Sequence, residues 1–193
     1  NTTAKTLSVG SDNTSTTFSG TFATGGVASN VLTKVGSGIF TLTNAVTSAW
    51  TGGNNVNGGV LSLGASNTLS TSGTTNIGLS TGPAALELGA GFNQTLAAIT
   101  FYGTGAATTT QGNVIIGSGA TLTLGGTITA NNTGNPLGAV ISGAGTLSIG
   151  GAAKNINVAD STTVPSSEAE LTIAVPISSV GAFGITKQGL GNL

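Results

Sequence analysis

The chain has no histidine, cysteine, methionine or arginine, and its only cations are Lys5, Lys34, Lys154 and Lys187. Each absence removes a class of chemistry. Without histidine or cysteine there is no imidazole general base, no thiolate nucleophile and no His/Cys zinc site. Without arginine there is no bidentate clamp for phosphate. Most enzyme classes are excluded on these grounds, and no cofactor or metal is expected. Neither disulfides nor a structural metal can hold the chain together, so a packed interior must.

Charge is scarce in both signs. The carboxylates are Asp12, Glu87, Asp160, Glu168 and Glu170, and the net charge is −1 with no basic stretch. Nucleic-acid binding thus lacks its main driving term. No apolar run approaches the roughly 18 residues that cross a bilayer, and no signal-peptide pattern is present. The chain starts at Asn1, so any export signal or anchor is expected outside it.

What is abundant is glycine, 33 residues of it, with threonine, serine and asparagine throughout. These residues lose backbone entropy or compete for local hydrogen bonds, which disfavours helices. The 38% of hydrophobic residues and positive mean hydropathy argue against disorder. An all-β chain is the reading that satisfies both.

Short alternating segments recur in one form: apolar, polar, apolar, glycine. They are Leu7-Ser8-Val9-Gly10, Leu61-Ser62-Leu63-Gly64, Leu86-Glu87-Leu88-Gly89, Leu122-Thr123-Leu124-Gly125 and Leu147-Ser148-Ile149-Gly150. Side chains alternate across a strand, so the apolar pair points inward and the middle residue faces water. Leu61 to Leu86 and Leu122 to Leu147 are each about 25 residues apart, and Val114-Ile115-Ile116 and Leu171-Thr172-Ile173 fall in the longer gaps. One strand phrase per 20 to 30 residues is the period of a solenoid, whose coils bury their apolar faces only against neighbours. The spacing predicts a parallel β-helix of roughly eight coils, a rod on the order of 40 Å long at about 4.8 Å per strand.

A larger repeat overlies the small one. Residues 5–42 resemble 154–193 at an offset of about 150, so 1–193 reads as one solenoid segment of a longer tandem array. Within it, Leu32-Thr33-Lys34-Val35-Gly36-Ser37-Gly38-Ile39-Phe40-Thr41-Leu42 is echoed by Ile185-Thr186-Lys187-Gln188-Gly189-Leu190-Gly191-Asn192-Leu193.

These phrases carry a resemblance. Thr17-Phe18-Ser19-Gly20, then Leu32-Thr33-Lys34 with Gly36 and Gly38, then Trp50-Thr51-Gly52-Gly53-Asn54-Asn55-Val56-Asn57-Gly58-Gly59-Val60-Leu61-Ser62-Leu63 resembles the autotransporter-associated β-strand repeat of bacterial passenger domains. The match covers 17–64 and in part 177–193, where Ile185, Thr186, Lys187, Gly189 and Gly191 repeat the pattern. Trp50 stands where tyrosine is usual and Asn54 where threonine is usual. The resemblance implies a right-handed parallel β-helix, secreted or held on the outer surface of a bacterial cell, in which the repeat aids export and builds the stalk.

Glycines at Gly36 and Gly38, Gly58 and Gly59, Gly117 and Gly119, and Gly143 and Gly145 precede alternating segments, where solenoid corners need positive φ. Asn44, Asn57, Asn67, Asn76, Asn131 and Asn132 are expected near turns, or as amide ladders between coils. Glu168 and Glu170 would lie about 6.6 Å apart on an extended segment, loosely the spacing of an inverting glycosidase pair. They lack supporting groups, and a solvated face is the expectation for both. A calcium site with Asp160 is a weaker alternative. Lys34 and Lys187 are read as solvated lysines that discourage lateral pairing.

Phe18, Phe22 and Phe40 are read as core. Trp50 and Tyr102 flank glycines, as caps of a coil edge or as stacking platforms for host or surface glycans. Thr41 and Thr43, Thr121 and Thr123, and Thr127 and Thr129 place paired hydroxyls outward, a feature of ice-binding solenoids, but the pairs do not recur once per coil. The functional expectation is a non-enzymatic shaft, stalk or adhesin segment, partnered by the rest of its own chain or by neighbouring copies stacked end to end. The alternatives are a self-assembling filament and a carbohydrate-acting β-helix.

Overall fold

In a computed structural model, residues 3–21, 29–44, 51–79, 83–102, 112–131, 138–161 and 169–193 are described. Trp50, Phe22, Asn132 and Glu168 lie outside them. Nineteen short strands follow one another with no helix among the described residues. The first six are β1 (Thr6–Val9), β2 (Thr16–Phe18), β3 (Val31–Lys34), β4 (Ile39–Leu42), β5 (Gly53–Val56) and β6 (Gly59–Leu63). The middle six are β7 (Thr74–Ile77), β8 (Ala84–Leu88), β9 (Asn93–Leu96), β10 (Ala98–Tyr102), β11 (Gly112–Ile116) and β12 (Thr121–Leu124). The last seven are β13 (Ile128–Asn131), β14 (Ala139–Gly143), β15 (Thr146–Ser148), β16 (Lys154–Val158), β17 (Leu171–Ile173), β18 (Ile177–Ser178) and β19 (Ile185–Gln188).

Every strand pairs in parallel with the strand one coil away. The first sheet runs β1, β3, β5, β7, β10, β13, β16, β19; the second runs β2, β4, β6, β8, β11, β14, β17; the third runs β9, β12, β15, β18. The chain is therefore the expected parallel β-helix. The coil count differs from expectation: eight strands stack in the first sheet, but strands on all three sides occur only over the four levels of the third. Below β9 the described residues of that side form no ladder, although Thr68, Leu69 and Ser70 are buried there.

The alternation read from the sequence is the register of the rod. Leu61 lies beside Leu86 and Leu63 beside Leu88, while Leu122 lies beside Leu147. In the second sheet, Phe40, Leu61, Leu86, Val114, Ile141 and Ile173 form one inward column. In the first, Val56, Ile77, Phe101, Ala130 and Val158 form another. Each fully buried Leu or Ile contributes about 1.5–3 kcal/mol, and a column repeats that gain at every level. Phe40 is in the core and Phe18 packs against it half-buried, as expected.

The long repeat is matched at its first strand and slipped at its second. Leu7 and Ile156 stand in one inward column, as the 150-residue offset requires. Leu32 then sits beside Leu7, whereas Ile185 sits beside Lys154 and Lys187 beside Ile156. The echo is displaced by two residues. A two-residue slip keeps every side chain on its face, which is why the pattern tolerates it.

Candidate functional site

The repeat phrase builds a corner. Leu32 is fully buried in β3, and Lys34, two residues on, points inward with it at 1% exposure. Lys34 occupies the column between Val9 and Val56. Its ammonium donates to the carbonyls of Val35 at 2.6 Å, Gly36 at 3.0 Å and, one coil further on, Gly58 at 3.2 Å. The solvated Lys34 expected from sequence is thus corrected: the side chain staples two corners from within. Burial pushes the Lys34 ammonium below the ordinary lysine value, and the charge of Asp12 offsets part of that.

The corner itself rests on Gly36. Its φ is +69°, and a Cβ there would lie 2.0 Å from the Gly10 carbonyl oxygen. The Asn13 side chain closes the same turn by accepting from the Ser37 N–H at 2.9 Å. Gly38 and Gly52 likewise pass close to backbone of the preceding coil, at Thr14 and Ser29. Asn57 joins β5 to β6, its N–H donating to the Lys34 carbonyl at 2.8 Å, and Gly59 starts β6 with φ +61°. Val56, Leu61 and Leu63 are fully buried.

The second copy of the phrase sits at the C-terminal end face and is largely uncovered. Thr186 and Lys187 are exposed, and Lys187 donates to the Gly189 carbonyl at 2.8 Å. Gly189 repeats the left-handed corner with φ +79°, and the Gly191 N–H donates to the Val158 carbonyl at 3.0 Å. The two lysines share the contact to the glycine two residues on. They differ in column and in cover.

Several further polar side chains are buried, among them Gln94, Lys154 and Asn54, which the sequence reading did not place inside, and Glu170, which it placed on a solvated face. Gln94 is 1% exposed; it accepts from the Leu69 N–H at 3.0 Å and donates to the carbonyls of Leu69 at 3.0 Å and Thr95 at 2.7 Å. It serves the peptide of Leu69 where the third sheet has no strand. Lys154 is buried and donates to the Gly125 carbonyl of the preceding coil at 2.9 Å. Asn54 lies buried beside Thr75, donating to its hydroxyl at 3.3 Å. Glu170 is fully buried, and its carboxylate accepts from the N–H groups of Ser161 and Asn192. The solvated face expected for Glu170 is therefore wrong, because the carboxylate is used to hold two backbone segments.

The outer surface of the first sheet carries a polar ladder. Thr33, Asn55, Asn76, Thr100, Thr129 and Asn157 stand in one column. Asn76 donates to Asn55 at 2.8 Å and Asn55 to Thr33 at 3.4 Å. Asn76 is thus mid-strand and not at a turn, while Asn67 does adopt the left-handed conformation, at φ +56°. Tyr102 ends β10 half-buried beside Asn131.

Three clefts lack any ionisable lining residue. Two open at the C-terminal end, about 310 Å³ and about 430 Å³, and share Ile177 and Ile185. The third, about 200 Å³, lies on the side of the rod by Val60, Pro83 and Asn113. Among the described residues no three carboxylates come together as a metal site. Among the described residues no helix is long and apolar enough to cross a membrane. Comparison with family models, with curated proteins and with solved structures finds no match.

Proposed function

We propose that this chain is a non-enzymatic structural segment of an exported bacterial surface protein, a stalk or adhesin shaft of the autotransporter-passenger kind. The observation that carries the reading is where three of the few ionisable side chains go. Lys34, Lys154 and Glu170 are buried, with backbone groups as their partners. A catalytic site needs such groups facing a cleft within reach of substrate, and none lines the three clefts described above. A shaft needs them at its corners. The export part of the reading rests on the repeat phrase at 17–64.

Antibodies raised against the folded rod test it on cells that make the protein. Labelling of intact cells, lost after external protease, is the expected result. Labelling that appears only after permeabilisation would sink the surface assignment.

A further inference from the structure

Asparagine amides along the rod are put to use. Those of Asn13 and Asn93 accept from the N–H groups of Ser37 and Thr121 in the next coil, and those of Asn55 and Asn76 donate along the polar ladder of the first sheet. Asn57 departs from this pattern. Its Oδ1 is buried without a hydrogen-bond partner, and its side-chain NH2 has none among the described residues. An amide in this state is not held in place.

The residue that follows it matters. Asn57-Gly58 is the single Asn-Gly pair of the sequence, and it forms the whole corner between β5 and β6. The Asn57 N–H donates to the Lys34 carbonyl at 2.8 Å and the Gly59 N–H to the Pro83 carbonyl at 2.8 Å. Between them, the Gly58 N–H has no partner among the described residues. An unengaged amide nitrogen therefore sits next in the chain to an unengaged side-chain carbonyl, and glycine has no Cβ to shield that nitrogen. Asn113 Oδ1 is also buried without a partner, but Val114 follows it, and a branched side chain crowds the approach.

We propose that Asn57 is a site of spontaneous covalent modification, deamidation through its own neighbour. The Gly58 nitrogen gives up its proton and bonds to Asn57 Cγ, closing a cyclic succinimide. The bond from Cγ to the side-chain nitrogen breaks, and that nitrogen leaves with the proton as ammonia. Water then opens the ring at either carbonyl, giving aspartate or isoaspartate, with nothing oxidised or reduced. Both reacting groups belong to one corner, so the step is intramolecular and needs no enzyme. Each product adds one negative charge to a chain whose net charge is −1. Isoaspartate also lengthens the main chain by one carbon between Val56 and Gly58. That moves the Gly58 carbonyl, which lies 3.2 Å from the Lys34 ammonium, and loosens the staple between the two coils. The corner ages in one direction, whatever the rod is used for.

Timed incubation of the purified folded chain at neutral and mildly alkaline pH, beside a sample kept unfolded in urea, reads it out. Peptide mapping by mass spectrometry, with fragmentation that separates isoaspartate from aspartate, follows every asparagine at once. Conversion is expected at Asn57 in the folded chain at a rate comparable to that in urea, rising with pH, while Asn113 stays intact. Gly58→Ala fits, because Gly58 is not left-handed and a Cβ there would lie 3.1 Å from the Gly36 carbonyl oxygen. It should keep the wild-type circular dichroism and slow the conversion several-fold. The isoaspartyl fraction, isolated by anion exchange, should unfold at a lower urea midpoint than the unconverted chain. The proposal is overturned if Asn57 stays intact in the folded chain while the urea sample converts, if Asn113 converts as fast, or if Gly58→Ala leaves the rate unchanged. An unaltered midpoint in the isoaspartyl fraction would overturn the link to Lys34.

Discussion

The ammonium of Lys34 donates to the carbonyl of Gly58, 3.2 Å away and one coil further along the rod. With the Val35 and Gly36 carbonyls it completes a set of three neutral acceptors around a buried cation. Removing the donor strands those carbonyls inside the corner. Lys34→Met keeps the packing volume and should destabilise the protein by about 2–4 kcal/mol at neutral pH, measured by urea unfolding.

The same lysine gives a pH signature. Its folded value lies below the ordinary value of 10.5. Between the two, the unfolded chain binds more protons than the folded one, and stability rises with pH. The urea midpoint should therefore increase as pH is raised toward 10.5. That increase should be absent in Lys34→Met; a midpoint that falls over this window in the wild type only would show the shift has the opposite sign.

Gly36→Ala should cost about 2–4 kcal/mol, since alanine at φ +69° is strained and its Cβ would meet the Gly10 carbonyl at 2.0 Å. The check is the melting temperature beside that of Ser37→Ala at the same corner, which should change little.

Gln94→Leu is isosteric enough to fill its site but leaves the Leu69 N–H and carbonyl without their partners. A loss of about 2–4 kcal/mol follows. Amide exchange at Leu69 should accelerate in the variant, which a purely packing role for Gln94 would not produce.

Glu170→Ala should loosen the segment at Asn192 and the backbone at Ser161, at about 2–4 kcal/mol. Glu170→Gln retains an acceptor oxygen and should recover part of that loss. Limited proteolysis at the C-terminal end distinguishes the pair, with cleavage fastest in the alanine variant.

The rod's register was legible because Leu61 and Leu86, or Leu122 and Leu147, declare their column by spacing alone. The glycine corners were legible for the same reason that Gly36 cannot be replaced. What was misread was the polarity of Lys34, and Gln94 and Lys154 were not singled out at all. Lys34 stands two residues after inward Leu32, Gln94 two before inward Leu96, and Lys154 two before inward Ile156. Alternation places all three inside. The usual exposure of lysine argued the other way for Lys34, and in a chain this poor in charge the backbone carbonyls of the corner overruled it. Glu170 had no such signal, since its partners at Ser161 and Asn192 are brought to it only by the fold.

The central claim is that stability is held between neighbouring coils and not in any one centre, and amide hydrogen exchange followed by mass spectrometry tests it most directly. A stack whose coils support each other loses protection from the ends inward. The slowest exchange is expected in β7 to β14, with protection falling in steps toward β1 at one end and β19 at the other. Uniform protection along the chain, or protected blocks that cut across the coil ladder, would contradict it.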